Sequence, residues 1–521
     1  MTRTDDPRHP ATDLVWWSAS QRQRARWRLR LLLPVAIALA AWYFEWLLRM
    51  SRVGNPLLYG LLVAAELFNL VQAAGFWWTC AHARERGPSP RWQGPPVPVD
   101  VLIPVYDEPL DVVEPTVAAA VALEGAAVTV HVLDDAGRPE LATLAARLGA
   151  RYVHRSDRRG AKAGNLNNAL AHTDAPFVAV FDCDHVPDRR FLSETLGWLL
   201  SDGTVGWVQT PQYYANADRG RLAAAAWSQQ ALFFGCIAQG KDGLGAMICC
   251  GTNVVFRRRA LEDTGFFPEG SLTEDFALSV LMHERGWRSV YVPDVLARGL
   301  GPEDMASYVG QQRRWARGCL AAFPLILKAA LPWRVRAQYL FSSMFFLSGW
   351  TIGLYMALPV IRIVTGAQPL AGASADQFLI HFAPYFCVSL GAVAAAGAGQ
   401  YTFGAFALLE ANFSVHVLAT LLVAARRRGR FVVTPKRGAG GPQPGAVWPA
   451  LVAIAVLVGA AADALAHHLD AAALNNVAFA TLHLSVLAVG CWPALVGADS
   501  RLASLAPTTS GEEDERDEVA A

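Results

Sequence analysis

Charge is scarce in this chain and has no preferred sign. Only 17% of its 521 residues are Asp, Glu, Lys or Arg, and 45 basic against 44 acidic side chains leave a formal charge of +1. Soluble domains usually carry about 25% charged residues, and nucleic-acid binders show a basic excess that is missing here, so no nucleic acid is expected as a partner. Cysteine is sparse as well: the 8 residues are scattered, with no C-x-x-C pair, which excludes a disulfide framework and a zinc module. Gly (43) and Pro (30) are too few for a collagen-like or low-complexity chain. No small-residue cleavage site follows the first apolar run, so a secretory leader is not expected. What is abundant is apolar length. Hydrophobic residues make up 53% of the chain, too many for disorder and enough to defeat a domain count based on about 150 residues per soluble unit.

The apolar residues fall in runs. Leu31 to Leu48, Leu57 to Thr79, Tyr339 to Ile363, Phe378 to Ala396, Val447 to Ala466 and Val477 to Val496 are each near the roughly 20 residues that cross a bilayer. Arg22, Arg24, Arg26, Arg28 and Arg30 precede the first run and hold that end in the cytoplasm. Six spans return the chain to that side, and the basic stretch Arg426 to Arg437 agrees, although Arg49 and Arg52 sit in a loop on the far side. Phe403 to Ala425 is also apolar but contains Glu410, Asn412, Ser414 and His416, which predicts an interfacial helix. The expected order is a basic cytoplasmic segment (1–30), two spans (31–80), a cytoplasmic domain (88–320), two spans with the interfacial helix (321–426), a loop and linker (427–445), two last spans (446–497) and an acidic disordered tail (498–521).

Within the cytoplasmic domain, strand-length runs (Val99 to Val105, Val128 to Leu133, Phe177 to Phe181, Val205 to Gln209, Ser289 to Val292) alternate with helix-length stretches such as Val112 to Leu123 and Pro139 to Leu148. That alternation predicts an α/β sheet with its site beyond the carboxyl ends of the strands. Acids stand at those ends: Asp134 and Asp135 after one run, Asp182 and Asp184 after another. Asp182-Cys183-Asp184 sets two carboxylates two residues apart, an arrangement suited to Mg²⁺ shared with phosphate oxygens. His185 adds an imidazole, which makes Mn²⁺ a second choice. Alone, such a triplet is equally compatible with a solvated loop.

The triplet has company: Pro104-Val105-Tyr106-Asp107-Glu108-Pro109, Asp134-Asp135-Ala136-Gly137-Arg138, Lys162-Ala163-Gly164-Asn165-Leu166-Asn167, Thr273-Glu274-Asp275, Gln311-Gln312-Arg313-Arg314-Trp315, and the shorter Val208-Gln209-Thr210-Pro211, Cys250-Gly251-Thr252-Asn253 and Phe431-Val432-Val433-Thr434-Pro435-Lys436. In order and spacing these pieces, from about Val99 to Lys436, resemble the processive family 2 glycosyltransferases, most closely the bacterial cellulose synthases. The resemblance implies a GT-A-type (Rossmann-like) α/β glycosyltransferase domain inserted in a polytopic α-helical membrane domain. It also implies a UDP-sugar donor and a growing polysaccharide as acceptor.

The resemblance assigns roles. Tyr106 stacks on uracil, Asp135 bonds its edge, and Glu108 belongs to the same donor site. Asp107 stands where the family more often has Asn, so it receives no contact. Asp184 and His185 hold the metal with help from Asp182, while Lys162 and Arg314 supply fixed cations for the leaving diphosphate. The Gly and two Asn beside Lys162 suit a tight turn around phosphate. Asp275 is the general base, with Glu274 and the backbone at Cys250 near the acceptor. Gln311, Arg314 and Trp315 fall at i, i+3 and i+4, hence on one helix face. They would offer the donor an amide and a guanidinium, and the acceptor sugar an indole. A basic amphipathic helix on lipid headgroups would show the same pattern. Thr434 and Lys436 lie in a stretch that resembles a loop closing over the nucleotide, and the chain passes from it into the fifth span with no room expected for a PilZ domain. Aromatics such as Trp350, Tyr355, Tyr385, Phe386 and Phe413 are candidates for a glycan channel or for a lipid-facing surface. The remaining expected partners are membrane lipids and an export protein outside the inner (plasma) membrane. A different sugar or linkage, or a non-catalytic glycan transporter, is the alternative.

Overall fold

A computed structural model describes residues 18–427, 429, 441–467 and 470–497. Ten strands are present among the described residues: β1 (Pro98–Val105), β2 (Ala127–Asp134), β3 (Arg151–His154), β4 (Phe177–Val180), β5 (Val186–Pro187), β6 (Val205–Gln209), β7 (Tyr213–Tyr214), β8 (Val254–Arg257), β9 (Arg288–Tyr291) and β10 (Ala297–Gly299). Seven form one sheet in the order β3-β2-β1-β4-β8-β6-β9. β1 to β4 are mutually parallel, and β8 runs antiparallel to both of its neighbours, so the sheet is mixed. A second sheet, β5-β10-β7, lies beside it.

The central strands have the near-continuous apolar sequence required when both faces are covered. Val101, Leu102 and Ile103 of β1 are wholly buried, with Val101 and Ile103 in one core and Leu102 in the other. Burial of each such side chain contributes about 1.5–3 kcal/mol. The chain leaves β1 for β2 and β3 on one side and returns as β4 on the other. The carboxyl ends of β1 and β4 therefore flank a topological switch point, where an open sheet leaves a crevice for ligand.

Among the described residues six helices are long and apolar enough to cross a bilayer: Ser20–Leu47, Pro56–Ala81, Trp333–Thr365, Ala375–Ala396, Trp448–His467 and Ala472–Val496. They match the six runs in the sequence, and the α/β domain is inserted between the second and third. Two features differ from expectation. The arginines Arg22 to Arg30 do not precede the first helix but form its first turns, because a capping box starts it at Ser18: the Ser18 hydroxyl accepts from the Gln21 N–H at 3.2 Å and the Gln21 amide oxygen accepts from the Ser18 N–H at 2.8 Å. Phe403 to Ala425 is not one helix but two, Phe403–Ala411 and Phe413–Ala424, bent by 43°. Its polar residues are turned inward, with Glu410 bonded to His483 of the last span at 2.6 Å and Asn412 and His416 buried.

Close backbone approaches dock the domain on the membrane helices. Gly240 and Gly243 of the short helix Ala238–Gly243 lie against the carbonyls of Thr79 and His82, where a methyl group would overlap oxygen. Between them, Lys241 reaches the carbonyl of Gln338 at 3.1 Å, and the Gln338 amide bonds the Thr79 hydroxyl at 2.9 Å. Asp242 accepts two bonds of 2.8 Å from Arg86 and one of 3.0 Å from the N–H of Tyr291 in β9. One short helix thus ties the second span, the third span and the sheet together.

Candidate active site

Strand register assembles one end of the crevice. Val105 pairs with Asp134, and Asp134 with His154, so the next residues, Tyr106, Asp135 and Arg155, leave the sheet side by side. Tyr106 is 43% exposed, as a stacking platform must be. Glu108 is buried, and its carboxylate accepts from the Tyr106 N–H at 2.8 Å while its carbonyl accepts from Arg138 at 2.7 Å. It shapes the loop that carries Tyr106. Asp135 is buried, and both carboxylate oxygens accept from Arg155, at 2.6 and 3.0 Å. The same guanidinium bonds the carbonyls of Arg159 at 2.7 Å and Ala161 at 2.8 Å, fixing the turn that leads to Lys162. Arg155 was missed in the sequence, although its place one residue past a strand end matches that of Asp135.

Ligand atoms of Asp182, Asp184 and His185 all lie within 4.8 Å of one another. The Asp182 N–H donates to the Thr252 hydroxyl at 2.8 Å, which holds the turn after β4. The His185 Nδ1 is 3.3 Å from Asp184 Oδ1, and its Nε2 is buried without a hydrogen-bond partner among the described residues. A buried orphan imidazole nitrogen beside two carboxylates suits a divalent ion. Asp182 stands in the same candidate metal group as Asp184 and His185. Gly299 of β10 makes room for the ring, since a methyl group there would overlap it.

Lys162 links this group to the segments that carry Gly251 and Asp275. Its ammonium pairs with Asp182 and donates to the Gly251 carbonyl at 2.8 Å. Burial disfavours its charge, but the carboxylates of Asp182, Glu274 and Asp275 outweigh that and hold its pKa above the ordinary value. The expected tight turn around it is instead a helix, Ala161–Leu170. The two Asn are taken up by packing: Asn165 donates to the Leu133 carbonyl at 2.9 Å, and Asn167 exchanges two 2.9 Å bonds with the backbone of Phe267. With their amides satisfied by backbone, neither is left to shape a phosphate turn.

Asp275 opens the helix Glu274–Glu284, and its Oδ1 accepts from the Phe276 N–H at 2.7 Å. Burial and the neighbouring Glu274 charge raise its pKa to about 7, against the opposing pull of Lys162, the Phe276 N–H and Arg314. Gly251, at φ +79°, faces it: a Cβ there would stand 2.9 Å from Asp275 Oδ2 and 3.5 Å from Lys162 Nζ. Cys250 is held by backbone, its N–H donating to Gln209 at 2.9 Å and its carbonyl accepting from Gln212 at 2.8 Å. Burial keeps its thiol protonated. Gln209, Gly251 and Gly299 are positioning residues that no local motif had marked by role.

Gln311, Arg314 and Trp315 lie on the helix Met305–Ala321, whose N-cap Asp304 accepts from the Ser307 N–H at 2.9 Å. Arg314 is near enough to influence Asp275, whereas Trp315 packs against Ala316, Leu320, Phe346 and Ala419 at the junction with the membrane helices. One turn later Gly318 lies against Thr273, so this helix rests directly on the T-E-D segment. Thr434 and Lys436 fall outside the described residues. Of the aromatics named for a channel, Tyr355 donates to Glu66 at 3.1 Å and accepts from Asn69 at 2.8 Å, and Tyr385 stacks on Tyr43 at 5.3 Å. Trp350 is 46% exposed, Phe386 stacks on Phe382, and Phe413 packs near Gly353.

Residues 177–398 match the family model described as glycosyl transferase family group 2. The chain is 32% identical over 477 residues to cellulose synthase 1 of Komagataeibacter xylinus, covering 85% of this chain and 30% of that protein. It is 32% identical over 392 residues to a UDP-forming cellulose synthase 1 catalytic subunit of the same organism, covering 72% and 52%. A UDP-forming cellulose synthase catalytic subunit of Xanthomonas axonopodis pv. citri is 39% identical over 230 residues, covering 42% and 31%. The chain thus spans about a third to a half of the length of these relatives. A mannosyltransferase from Pyrobaculum calidifontis, solved in complex with GDP-Man and Mn²⁺, shares the fold with a TM-score of 0.53 at 19% identity, covering 70% of this chain and 99% of that one. Residues 177–398 thus carry a glycosyl transferase family group 2 domain with a mixed GT-A-type sheet, in a chain that is homologous over most of its length to bacterial cellulose synthase catalytic subunits and has six membrane-length helices among its described residues.

Proposed function

We propose that the protein is a processive, inverting glycosyltransferase that polymerises glucose from UDP-glucose into a β-1,4-glucan and passes the product through its own membrane helices. The observation that carries this reading is the meeting of Lys162, Asp182, Gly251 and Asp275 in one site, beside a helix that packs against Phe346 and Ala419 of the membrane helices. The domain lies in the cytoplasm, in an inner-membrane protein, as the arginines of the first helix favour.

Tyr106 and Asp135 take the uracil, with Arg155 holding Asp135 in place. Asp182, Asp184 and His185 hold Mg²⁺ or Mn²⁺, which supplies Lewis-acid stabilisation of diphosphate charge. Lys162 and Arg314 bring fixed positive charge to the same oxygens. The acceptor hydroxyl gives its proton to Asp275 as its oxygen bonds the anomeric carbon from the side opposite the leaving group. The bond from that carbon to the β-phosphate oxygen breaks, and its electron pair leaves with UDP. One displacement turns an α-linked donor into a β-linked product. A base with a pKa near 7 suits this task at neutral pH. Export in step with synthesis avoids the cost of carrying unpaired hydroxyls through hydrocarbon.

The test is a panel of radiolabelled nucleotide sugars given to vesicles containing the purified protein, followed by linkage analysis of the polymer. Incorporation of glucose from UDP-glucose in β-1,4 linkage is expected. Incorporation from UDP-N-acetylglucosamine or GDP-mannose alone, or a different linkage, would replace the proposed product. Binding of glycan without transfer would sink the enzyme itself.

A further inference from the structure

Beside the site of chemistry, the chain has a basic cavity of about 350 Å³ at the domain-side end of the first span, lined by Gln23, Arg26, Trp27, Arg30, Ala83 and Glu85. We propose that it binds the phosphate of an anionic phospholipid headgroup, whatever sugar the domain transfers.

Four of the lining residues are spaced i, i+3, i+4 and i+7 along the first helix and so share one face. The opposing wall is the segment that leads from the second span into the sheet. Charge at the cavity is not balanced. Glu85 is the one carboxylate in the lining, and it already accepts from both Arg22, at 3.1 Å, and Arg26, at 2.7 Å. Arg26 Nη1 is buried with no hydrogen-bond partner among the described residues. Arg30 makes no ion pair among them and stands 5.9 Å from the centre of the Trp27 ring. Two guanidiniums with donors to spare, together facing one cavity, match the oxygen-rich geometry of phosphate.

Depth selects the lipid as the source of that phosphate. The uninterrupted apolar run begins at Leu31, immediately after Arg30. Arg26 lies five residues earlier, about 7.5 Å along the helix at 1.5 Å per residue. The interfacial layer between hydrocarbon and water is about 5–8 Å deep on each side. Both guanidiniums therefore lie at headgroup level, and Trp27, 58% exposed, is the residue type that settles there.

The experiment uses the full chain in nanodiscs and measures retention of radiolabelled phosphatidylglycerol or phosphatidylcholine after exchange into detergent. Wild type should retain phosphatidylglycerol in preference to phosphatidylcholine. Arg30→Gln should weaken that retention about fivefold, and Arg26→Gln/Arg30→Gln further, because each basic side chain near an anionic surface contributes about one such factor. Arg30→Lys, which keeps the charge, should retain part of the preference. Arg30 is exposed and makes no ion pair among the described residues, so a thermal melt of Arg30→Gln should match wild type. Equal retention of the two lipids, or equal retention by wild type and Arg30→Gln, overturns the proposal. Displacement of the lipid by millimolar inorganic phosphate also overturns it, by making the cavity a site for soluble phosphate.

Discussion

The imidazole of His185 lies against Gly299 in the space a methyl group would need, so a residue of the small sheet sets the position of a candidate metal ligand. Gly299→Ala should push the ring away from Asp184. The expected result is a loss of Mn²⁺ affinity of about 10–100-fold, the range for groups that orient a ligand, measured by electron paramagnetic resonance titration. Unchanged affinity in both Gly299→Ala and His185→Ala would remove His185 from the metal site.

The raised pKa of Asp275 fixes the shape of a pH profile. Below about pH 7 the carboxyl is protonated and cannot accept a proton, so kcat/KM should fall about tenfold per pH unit on the acid side and level off above. Glu274→Gln removes the neighbouring negative charge, which lowers the Asp275 pKa and moves the limb to lower pH. Asp275→Asn should cost about 10²–10⁴ in rate with UDP affinity nearly kept. An acid limb near pH 4 in the wild type would argue against Asp275 as the base.

Arg155 and Asp135 form a buried pair, with side chains 8% and 7% exposed. Arg155→Met leaves a buried carboxylate uncompensated, a change that costs about 3–5 kcal/mol and should appear as a clear drop in melting temperature. Adding Asp135→Asn should restore much of that stability but not UDP affinity, because the proposed uracil acceptor is then altered. Restoration of both would mean that Asp135 has no part in nucleotide binding.

Gly251 offers a test of close approach. Gly251→Ala combines a φ of +79° with a methyl 2.9 Å from Asp275 Oδ2, so transfer should collapse. Gly245→Ala is the control: φ is +67°, but a Cβ there would meet nothing. It carries the left-handed backbone cost of about 1–2 kcal/mol and should remain active. Comparable single-turnover rates in the two variants would show that Gly251 is not part of the site.

Much of the site was legible locally. Asp182, Asp184 and His185 stand next to one another after an apolar strand, and Gln311, Arg314 and Trp315 repeat with the helix period, so chemistry and spacing were visible together. The helix at Lys162 was not, since Asn and Gly favour turns until tertiary partners satisfy their amides, as Leu133 and Phe267 do here. Arg155 carried no motif. Its importance comes from a strand register that sets it beside Asp135.

By itself the sequence determined the six membrane runs, the alternating α/β domain between the second and third, and the inventory of acids, cations and aromatics. Those follow from hydropathy and local chemistry, which depend on near neighbours in the chain. Which members of the inventory meet was decided by the tertiary structure. Lys162 reaches the Gly251 carbonyl 89 residues away, and Gly299 seats His185. Such pairings depend on strand order and on backbone approaches that glycine alone permits, and no local pattern encodes either.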